Sequence, residues 1–297
     1  MPVSHSTPPP LEVALYVVAT PIGNLRDISL RALDVLAAAD TIAAEDTRNT
    51  RHLLNHHGLR EARLLALHQH NERGAADKII ALLRQGQTVA LVTDAGTPAV
   101  SDPGALLVEA VRAAGLRVIP LPGASAAIAA LSASGLANPH FLFYGFLPNK
   151  SAARCTILQS LAVQPYSLVF YEAPHRILEC VADLQQVFGD QREIVLAREL
   201  TKLFESIHRC RLGEALDWLN ADANRQRGEF VVLISGATPP APDELSPEAL
   251  RTLTVLLAEL PLKQAVQLAV QLTGIGRNEL YPRALTLKSG DGQLEKP

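Results

Sequence analysis

Short apolar runs alternate with helix-period segments along the first half of the chain. Leu15 to Ala19 reads as a buried strand, followed by a loop and a helix near Ser29 to Ala38. Thr41 to Ala44 is a short strand and Arg48 to His57 a helix. Leu64 to Leu67 is a weaker strand, and Gly74 to Arg84 a helix with apolar positions at Ile79, Ile80, Leu82 and Leu83. Val89 to Val92, Pro103 to Ala114, Val118 to Leu121 and Ala124 to Ala133 continue as strand, helix, strand, helix. Five strand–helix units in succession predict a mostly parallel sheet with helices on its faces. The rhythm then changes. Phe141 to Tyr144, Leu168 to Tyr171, Ile194 to Ala197, Glu205 to Arg209 and Phe230 to Ile234 are strands, with helices at Pro174 to Phe188 and Leu212 to Asn220. Closely spaced strands of this kind predict a mixed sheet. Ala237 to Pro247 has the composition of a linker, and Pro247 to Leu260 and Leu262 to Leu272 read as amphipathic helices, with a third piece after Arg277.

Composition changes this picture little. The 297 residues are 48% hydrophobic, enough for a core in each of two ordinary domains. A net charge of −3 neither demands nor excludes a nucleic-acid partner, since a local patch suffices. Cys155, Cys180 and Cys210 are far apart, odd in number and without CxxC spacing, which argues against a disulfide framework or zinc site and for reduced thiols in the cytoplasm. The start, MPVSHSTPPP, has neither a basic nor an apolar signal region and reads as a disordered tail. The uncharged stretch Val118 to His140 is punctuated by Pro120, Pro122, Gly123, Gly135 and Pro139, so no membrane span is expected.

Three loops after strands of the first half are unusual: ATPIGN (Ala19 to Asn24), TDAGTPAVSDPG (Thr93 to Gly104) and LPGASA (Leu121 to Ala126). Each joins Gly and Pro to small hydroxyl residues. Such loops let backbone approach a ligand closely, and ligands of open parallel sheets bind where strands deliver their carboxyl ends. Nucleotide fingerprints fail: no GxGxxG follows the first strand, and GFLPNKS (Gly145 to Ser151) lacks the glycine before Lys150 that a phosphate loop needs. GxSxG and HExxH are absent too, so a Rossmann dehydrogenase, a P-loop ATPase, a serine hydrolase of that type and a zincin are disfavoured.

Charged clusters also stand at strand ends. AAEDTRNTR carries Glu45, Asp46, Arg48 and Arg51; YEAPHR carries Glu172, His175 and Arg176; ARELTK carries Arg198, Glu199 and Lys202; RGEF precedes the last strong strand. Singly, each is explained by a helix cap or a salt bridge. Together they are suited to line one cleft. His52, His56, His57 and His68, near Arg51, Arg60 and Arg63, make a locally basic surface, which either an RNA or plain solvation explains; no acid or cysteine completes a metal set there, and no metal is expected.

VATPIGNLRDIS, AAEDTR, TDAGTPAVSDPG, PGASA, FYGFLP, YEAPHR, ARELTK and GEFVVLI, in this order between Leu15 and Ile234, resemble the tetrapyrrole methylase superfamily of S-adenosylmethionine-dependent enzymes, and within it the bacterial branch that methylates a cytidine ribose 2′-oxygen of small-subunit ribosomal RNA. The resemblance implies an α/β fold: two α/β domains with an interdomain cleft, a helical C-terminal segment, and a homodimer. The corresponding boundaries are a tail at 1–10, an N-terminal domain at 11–125, a C-terminal domain at 126–236, a linker at 237–247 and a helical tail at 248–290. By the same likeness, Asp94, Gly96 and Thr97 would contact S-adenosyl-L-methionine, with Ser125 and Ala126 helping to hold it and Pro21 nearby. This cofactor carries no phosphate, in keeping with the failed phosphate fingerprints. A ribose hydroxyl needs a base or acceptor, for which Glu45, Asp46 and Glu172 are the candidates. Arg48, Arg51, Arg176, Arg198 and Lys202 are the candidates for holding phosphates of small-subunit ribosomal RNA or of the 30S subunit. Two alternatives stand: a relative acting on a tetrapyrrole or a protein side chain, and a non-catalytic RNA-binding protein on this scaffold.

Overall fold

A computed structural model describes residues 10–59, 62–68, 71–237, 245 and 247–290. The expected tail before Pro10, most of the expected linker between Ala237 and Pro247, and Arg60 lie outside them. The chain divides into two compact units, residues 1–237 and 238–297.

The first half of the larger unit alternates strand and helix: β1 (Leu15–Val18), α1 (Leu30–Ala38), β2 (Thr41–Ala44), α2 (Thr47–His56), β3 (Arg63–Ala66), α3 (Glu72–Arg84), β4 (Val89–Val92), α4 (Ala105–Ala113), β5 (Val118–Leu121) and α5 (Ala126–Ala133). Its five strands pair in parallel in the order β3-β2-β4-β1-β5. Both faces are covered: one core holds Tyr16, Val18, Val35, Leu36, Ile42 and Leu54, the other Leu15, Ile79, Leu83, Leu91, Leu107 and Val111. Two-sided burial explains why β4, and β2 from Ile42 to Ala44, are apolar at successive positions instead of alternating.

The second half contains β6 (Phe141–Phe146), α6 (Ser151–Leu161), β7 (Ser167–Glu172), α7 (Ile177–Phe188), β8 (Glu193–Arg198), β9 (Ser206–Arg211), α8 (Leu212–Asn220) and β10 (Phe230–Ile234). The sheet runs β6-β7-β10-β8-β9, with only the β6–β7 pair parallel, and is the mixed sheet expected from the closer strand spacing. The helices α6, α7 and α8 cover one face, while α5 packs Ala127 and Ala130 on the other, against Val169, Val195 and Val231. The helix expected over Pro174 to Phe188 begins as a 3-10 turn, Pro174–Arg176, before α7. The helix α6 was not expected from the sequence, and its buried positions are Arg154, Leu158 and Leu161.

The smaller unit consists of α9 (Pro247–Glu259), α10 (Leu262–Thr273) and α11 (Arg277–Gly290), joined around Leu253, Val266, Ala269, Leu280 and Ala284. Gly274, at φ 71°, ends α10 in the left-handed conformation that glycine tolerates best. None of the helices among the described residues is long and apolar enough to cross a membrane.

One cap fixes the end of the loop between β4 and α4. Gly104 precedes α4 at φ 127°, a backbone that offers no capping side chain, and a Cβ there would lie 2.9 Å from Leu91 Cδ2. The buried Glu72, at the start of α3, supplies the acceptor instead. Its Oε1 takes the amides of Gly104, Leu106 and Leu107 at 2.8, 2.9 and 3.2 Å. Glu72→Ala leaves these helix-end donors without a charged acceptor, and the urea midpoint is expected to fall by the equivalent of about 1–3 kcal/mol.

Candidate functional site

The strands β4, β1 and β5 are hydrogen-bonded neighbours, so the three Gly- and Pro-rich loops emerge side by side at one edge of the parallel sheet. They are also laced to one another. Thr20 and Gly96 exchange backbone hydrogen bonds at 2.9 and 3.0 Å, joining the first loop to the second. Thr97 Oγ1 donates to Ala124 O at 3.0 Å, joining the second to the third. Gly123 in turn lies so close to the end of β1 that a Cβ would sit 2.6 Å from Ala19 Cβ. Gly96 adopts φ 84°, and a Cβ there would make only ordinary contact, 3.6 Å from Ile22 Cγ2, so it is there for its backbone and not to avoid a clash.

Opposite these loops stand the ends of strands from the mixed sheet. Together the two sides enclose a cleft of about 300 Å³ whose wall includes Ile22, Gly96, Thr97, Asp102, Ser125 and Ala126 on one side and Phe146, Tyr171, Glu172, Leu200, Lys202 and Glu229 on the other. Tyr171 Oη accepts the Ala127 amide at 3.2 Å and so ties the far wall to the start of α5. Two wall segments carry non-glycine residues in the left-handed region: Ala99 (φ 68°) and Ser101 (φ 65°) flank Val100, and Glu199 (φ 50°) and Thr201 (φ 64°) flank Leu200. Such residues cost on the order of 1–2 kcal/mol each and persist only where surroundings over-determine them, which is characteristic of sites.

Acids dominate the electrostatics. Burial pushes the Glu45 carboxyl up, and neighbouring Asp94 and Asp46 add to this against the Asp94 amide, which donates to it. Asp102 is pushed up to about 6 by burial and by Glu45 and Asp94. Asp46 is held near 2, first by its hydrogen bond from Arg48. Lys202 Nζ bridges Glu199 Oε1 and Glu229 Oε2 at 2.9 and 2.7 Å, which raises its own pKa despite partial burial. Phosphates would find little purchase on such a wall; a cation or an amine finds complementary charge.

The expected residues fall into four groups. Gly96, Thr97, Ser125, Ala126, Glu172 and Lys202 line the cleft. Pro21 is buried between paired Thr20 and wall residue Ile22, without lining the cleft itself. Asp94 turns its carboxylate toward α2, accepting the Asp46 amide at 3.1 Å and Asn49 Nδ2 at 2.9 Å. It therefore links Glu45 and Asp46 to the second loop. Arg48, 84% exposed, grips Asp46 at 2.7 Å, and Arg51 is exposed on the same helix. Arg176 and Arg198, both expected to hold phosphates, are engaged with acceptors of this chain beside the cleft. Arg176 binds Glu172 Oε1 at 3.1 Å and donates to Leu147 O, Pro148 O and Asn149 Oδ1. Arg198 donates to the carbonyls of Phe204, Asn224 and Arg227 and to Ser206 Oγ. Glu172 is 2% exposed, its Oε1 also accepting the Ala173 amide, and its Oε2 is buried without a hydrogen-bond partner.

Asp102, Tyr171, Phe146 and Glu229 were not singled out by sequence reasoning, although each sits in a quoted segment. Among the described residues no group of three or more His, Cys, Asp or Glu side chains is gathered as a metal site would require.

The chain matches the family described as tetrapyrrole (corrin/porphyrin) methylases over residues 14–216. The chain belongs to the tetrapyrrole methylase family. Residues 243–288 match a second description, the RsmI C-terminal HTH domain. A Pseudomonas aeruginosa member called Ribosomal RNA small subunit methyltransferase I is 53% identical across 91% of this chain and 96% of its own. An Escherichia coli O157:H7 protein of the same name is 52% identical across 91% and 94%. Among solved tetrapyrrole methylases, uroporphyrin-III-C-methyltransferase from Thermus thermophilus shares the fold at TM-score 0.54 and 19% identity, covering 75% of this chain and 94% of that one. A second structure of that Thermus enzyme, complexed with S-adenosyl homocysteine, aligns at TM-score 0.52 and 17% identity, covering 75% of this chain and 97% of that one. The laced loops described above thus lie within the span that matches the tetrapyrrole methylase family.

Proposed function

We propose that the protein is an S-adenosylmethionine-dependent methyltransferase that methylates the 2′-hydroxyl of a cytidine ribose in small-subunit ribosomal RNA, acting as a homodimer in the cytoplasm. The observation that carries this reading is near-full-length identity of about one residue in two to relatives named for small-subunit ribosomal RNA methylation. The cleft supports the cofactor. It is apolar enough for an adenosine, bordered by acids instead of a phosphate cradle, and opened by Gly96 and Gly123, where side chains would be strained or clash. Gly96, Thr97, Ser125 and Ala126 would hold the cofactor through close backbone approach. When bound, it supplies a methyl group activated on a positively charged sulfur.

The chain's own part is alignment and exclusion of water. Holding the acceptor oxygen in line is worth up to about 7–11 kcal/mol in well-oriented reactions. The lacing of three loops and the tie from Tyr171 to Ala127 keep that geometry stiff. Glu45, Asp46 and Asp94 set a negative field at the edge of the cleft, and Glu172 with Arg176 braces its floor. Arg48 and Arg51, exposed on α2 beside that edge, are the cations best placed for phosphates of the RNA.

Incubation with methyl-labelled cofactor and small ribosomal subunits from a strain lacking the corresponding enzyme is expected to label the RNA at one ribose, leaving that linkage resistant to alkali. Label on a tetrapyrrole or a protein, or none at all, overturns the reading.

A further inference from the structure

The turn between β8 and β9, Glu199 to Glu205, borders the cleft through Leu200 and Lys202 and then lifts two large apolar side chains into solvent. Leu203 is 89% exposed and Phe204 67%, the most exposed large aliphatic and aromatic side chains among the described residues. A loose tip would fold such side chains back onto the surface. This one is held. Glu199 and Thr201 adopt left-handed backbone at φ 50° and 64°. The Thr201 amide donates to Glu205 Oε2 at 2.6 Å, and Arg198 Nη2 donates to Phe204 O at 2.9 Å. From the first loop, the Asn24 amide donates to Thr201 Oγ1 at 3.0 Å, and Gly23 sits so close that a Cβ would lie 2.5 Å from Lys202 Cγ. A strained, clamped turn thus keeps an aromatic ring in water at the lip of the cleft, an arrangement characteristic of sites.

The same clamp brings cations to the tip. Arg198 Nη1 also donates to Asn224 O and Arg227 O, both at 3.2 Å, so one guanidinium seats the segment before β10 beside Phe204. Arg227 is exposed; its Nη1 donates to Asn224 Oδ1 at 3.4 Å, and it forms no ion pair among the described residues. Arg26, two residues after Asn24, is exposed and likewise without an ion pair among the described residues. Each of the two segments packed against the turn therefore carries an arginine whose charge no carboxylate neutralises. Thr201, Lys202 and Glu205 around the tip are polar. Two apolar side chains fall far short of the roughly 800 Å² that each partner buries in a stable protein–protein interface. A ring face with cations nearby is what a single nucleic-acid base needs.

We propose that Phe204 is a stacking platform for one base of the substrate RNA, swung out of its strand beside the reacting ribose, with Arg26 and Arg227 on the flanking phosphates; the assignment rests on the chain acting on RNA. A ribose hydroxyl that reaches into a cleft of about 300 Å³ has to leave the stacked strand, and the base beside it loses its stacking neighbour. A ring already fixed at the lip replaces that neighbour, and because the turn is clamped beforehand, little side-chain or loop freedom is lost on binding. The arginines add to Arg48 and Arg51 as cations for the backbone, which positions the strand without reading its sequence.

The test is Phe204→Ala in the full chain. Filter binding to small ribosomal subunits from a strain lacking the corresponding enzyme is expected to weaken about 5–150-fold, the range for loss of one base–aromatic stack. Methyl-transfer kcat/KM on those subunits should fall with it. Calorimetric affinity for S-adenosylhomocysteine and the melting temperature should stay as in wild type, since an exposed tip carries little of the fold. Phe204→Trp should bind within about threefold of wild type, and Phe204→Leu, apolar but without a ring, about as weakly as Phe204→Ala. Arg26→Gln and Arg227→Gln should each reduce the slope of log affinity against log salt by about 0.7. Binding by Phe204→Ala within about twofold of wild type, full rescue by leucine, or loss of S-adenosylhomocysteine affinity in step with RNA affinity would overturn the platform alone. So would a smaller sedimenting species for Phe204→Ala, the mark of an interface between copies of this chain. A wild type that neither binds nor labels the RNA of those subunits would overturn the reading beneath it.

Discussion

Arg154→Met is expected to lower the urea midpoint by the equivalent of about 3–5 kcal/mol, because it removes one partner of a buried ion pair. Arg154 is fully buried on α6, with Nε 2.6 Å from Asp183 Oδ2 on α7. The other oxygen of Asp183 accepts Ser151 Oγ at 2.9 Å, a neutral hydrogen bond that does not replace a guanidinium. The methionine would fill most of the volume and leave Asp183 buried without its cation. Arg154→Met combined with Asp183→Leu should recover most of the loss, since replacing both charges with apolar groups is often neutral. An equally unstable double variant would show that the damage comes from packing instead. Function should follow for a second reason. Arg154 Nη1 reaches Pro148 O and Asn149 O at 3.3 and 3.4 Å, while Arg176 holds the same segment from the other side. That segment follows Phe146 in the cleft wall, so the single variant should also bind S-adenosylhomocysteine more weakly than its melting alone explains.

Gly123→Ala should weaken S-adenosylhomocysteine binding by about 10–100-fold, equivalent to about 1.4–2.7 kcal/mol. The new methyl would lie 2.6 Å from Ala19 Cβ, an atom fixed to the backbone at the end of β1. Neither side can rotate away, so the loops after β1 and β5 must part, and overpacking of this kind costs about 1–3 kcal/mol. The Thr97 hydrogen bond to Ala124 O would be strained with them. Gly96→Ala is a useful contrast. Its Cβ would meet nothing nearer than Ile22 Cγ2 at 3.6 Å, so the cost reduces to the φ of 84°, about 1–2 kcal/mol. Calorimetry should rank the two variants in that order. If Gly123→Ala binds as tightly as wild type, close contact between these loops does not shape the cleft.

Much of the site was legible because parallel sheets announce themselves. Fully buried strands such as Thr41–Ala44 and Val89–Val92 carry almost no polar residues, and loops at their ends stand out when they are rich in Gly, Pro and hydroxyls. The family likeness was carried by those same loops and by the charged strand ends. The helix α6 escaped for a specific reason. Its buried stripe is Arg154, Leu158 and Leu161, and an arginine in a core position hides the 3.6-residue period. Arg176 and Arg198 are candidates for RNA phosphates by residue type and strand-end position, yet both are engaged with acceptors of this chain. Several of their acceptors are backbone carbonyls of neighbouring loops, which no side-chain pattern records.

The sequence by itself determined the two strand patterns, the three Gly- and Pro-rich loops and the family. Those depend on local periodicity, on backbone freedom at glycine and on contiguous motifs. Only the tertiary structure decided which charges meet. It turned Asp94 toward α2, engaged Arg176 and Arg198 with acceptors of this chain, and set Asp102 in the cleft wall. The physical reason is that the state of a carboxylate or guanidinium depends on burial and on charges within a few ångströms. In this chain those come from residues such as Glu45 and Asp102 that lie far apart in sequence and meet only when β2 and β4 pair.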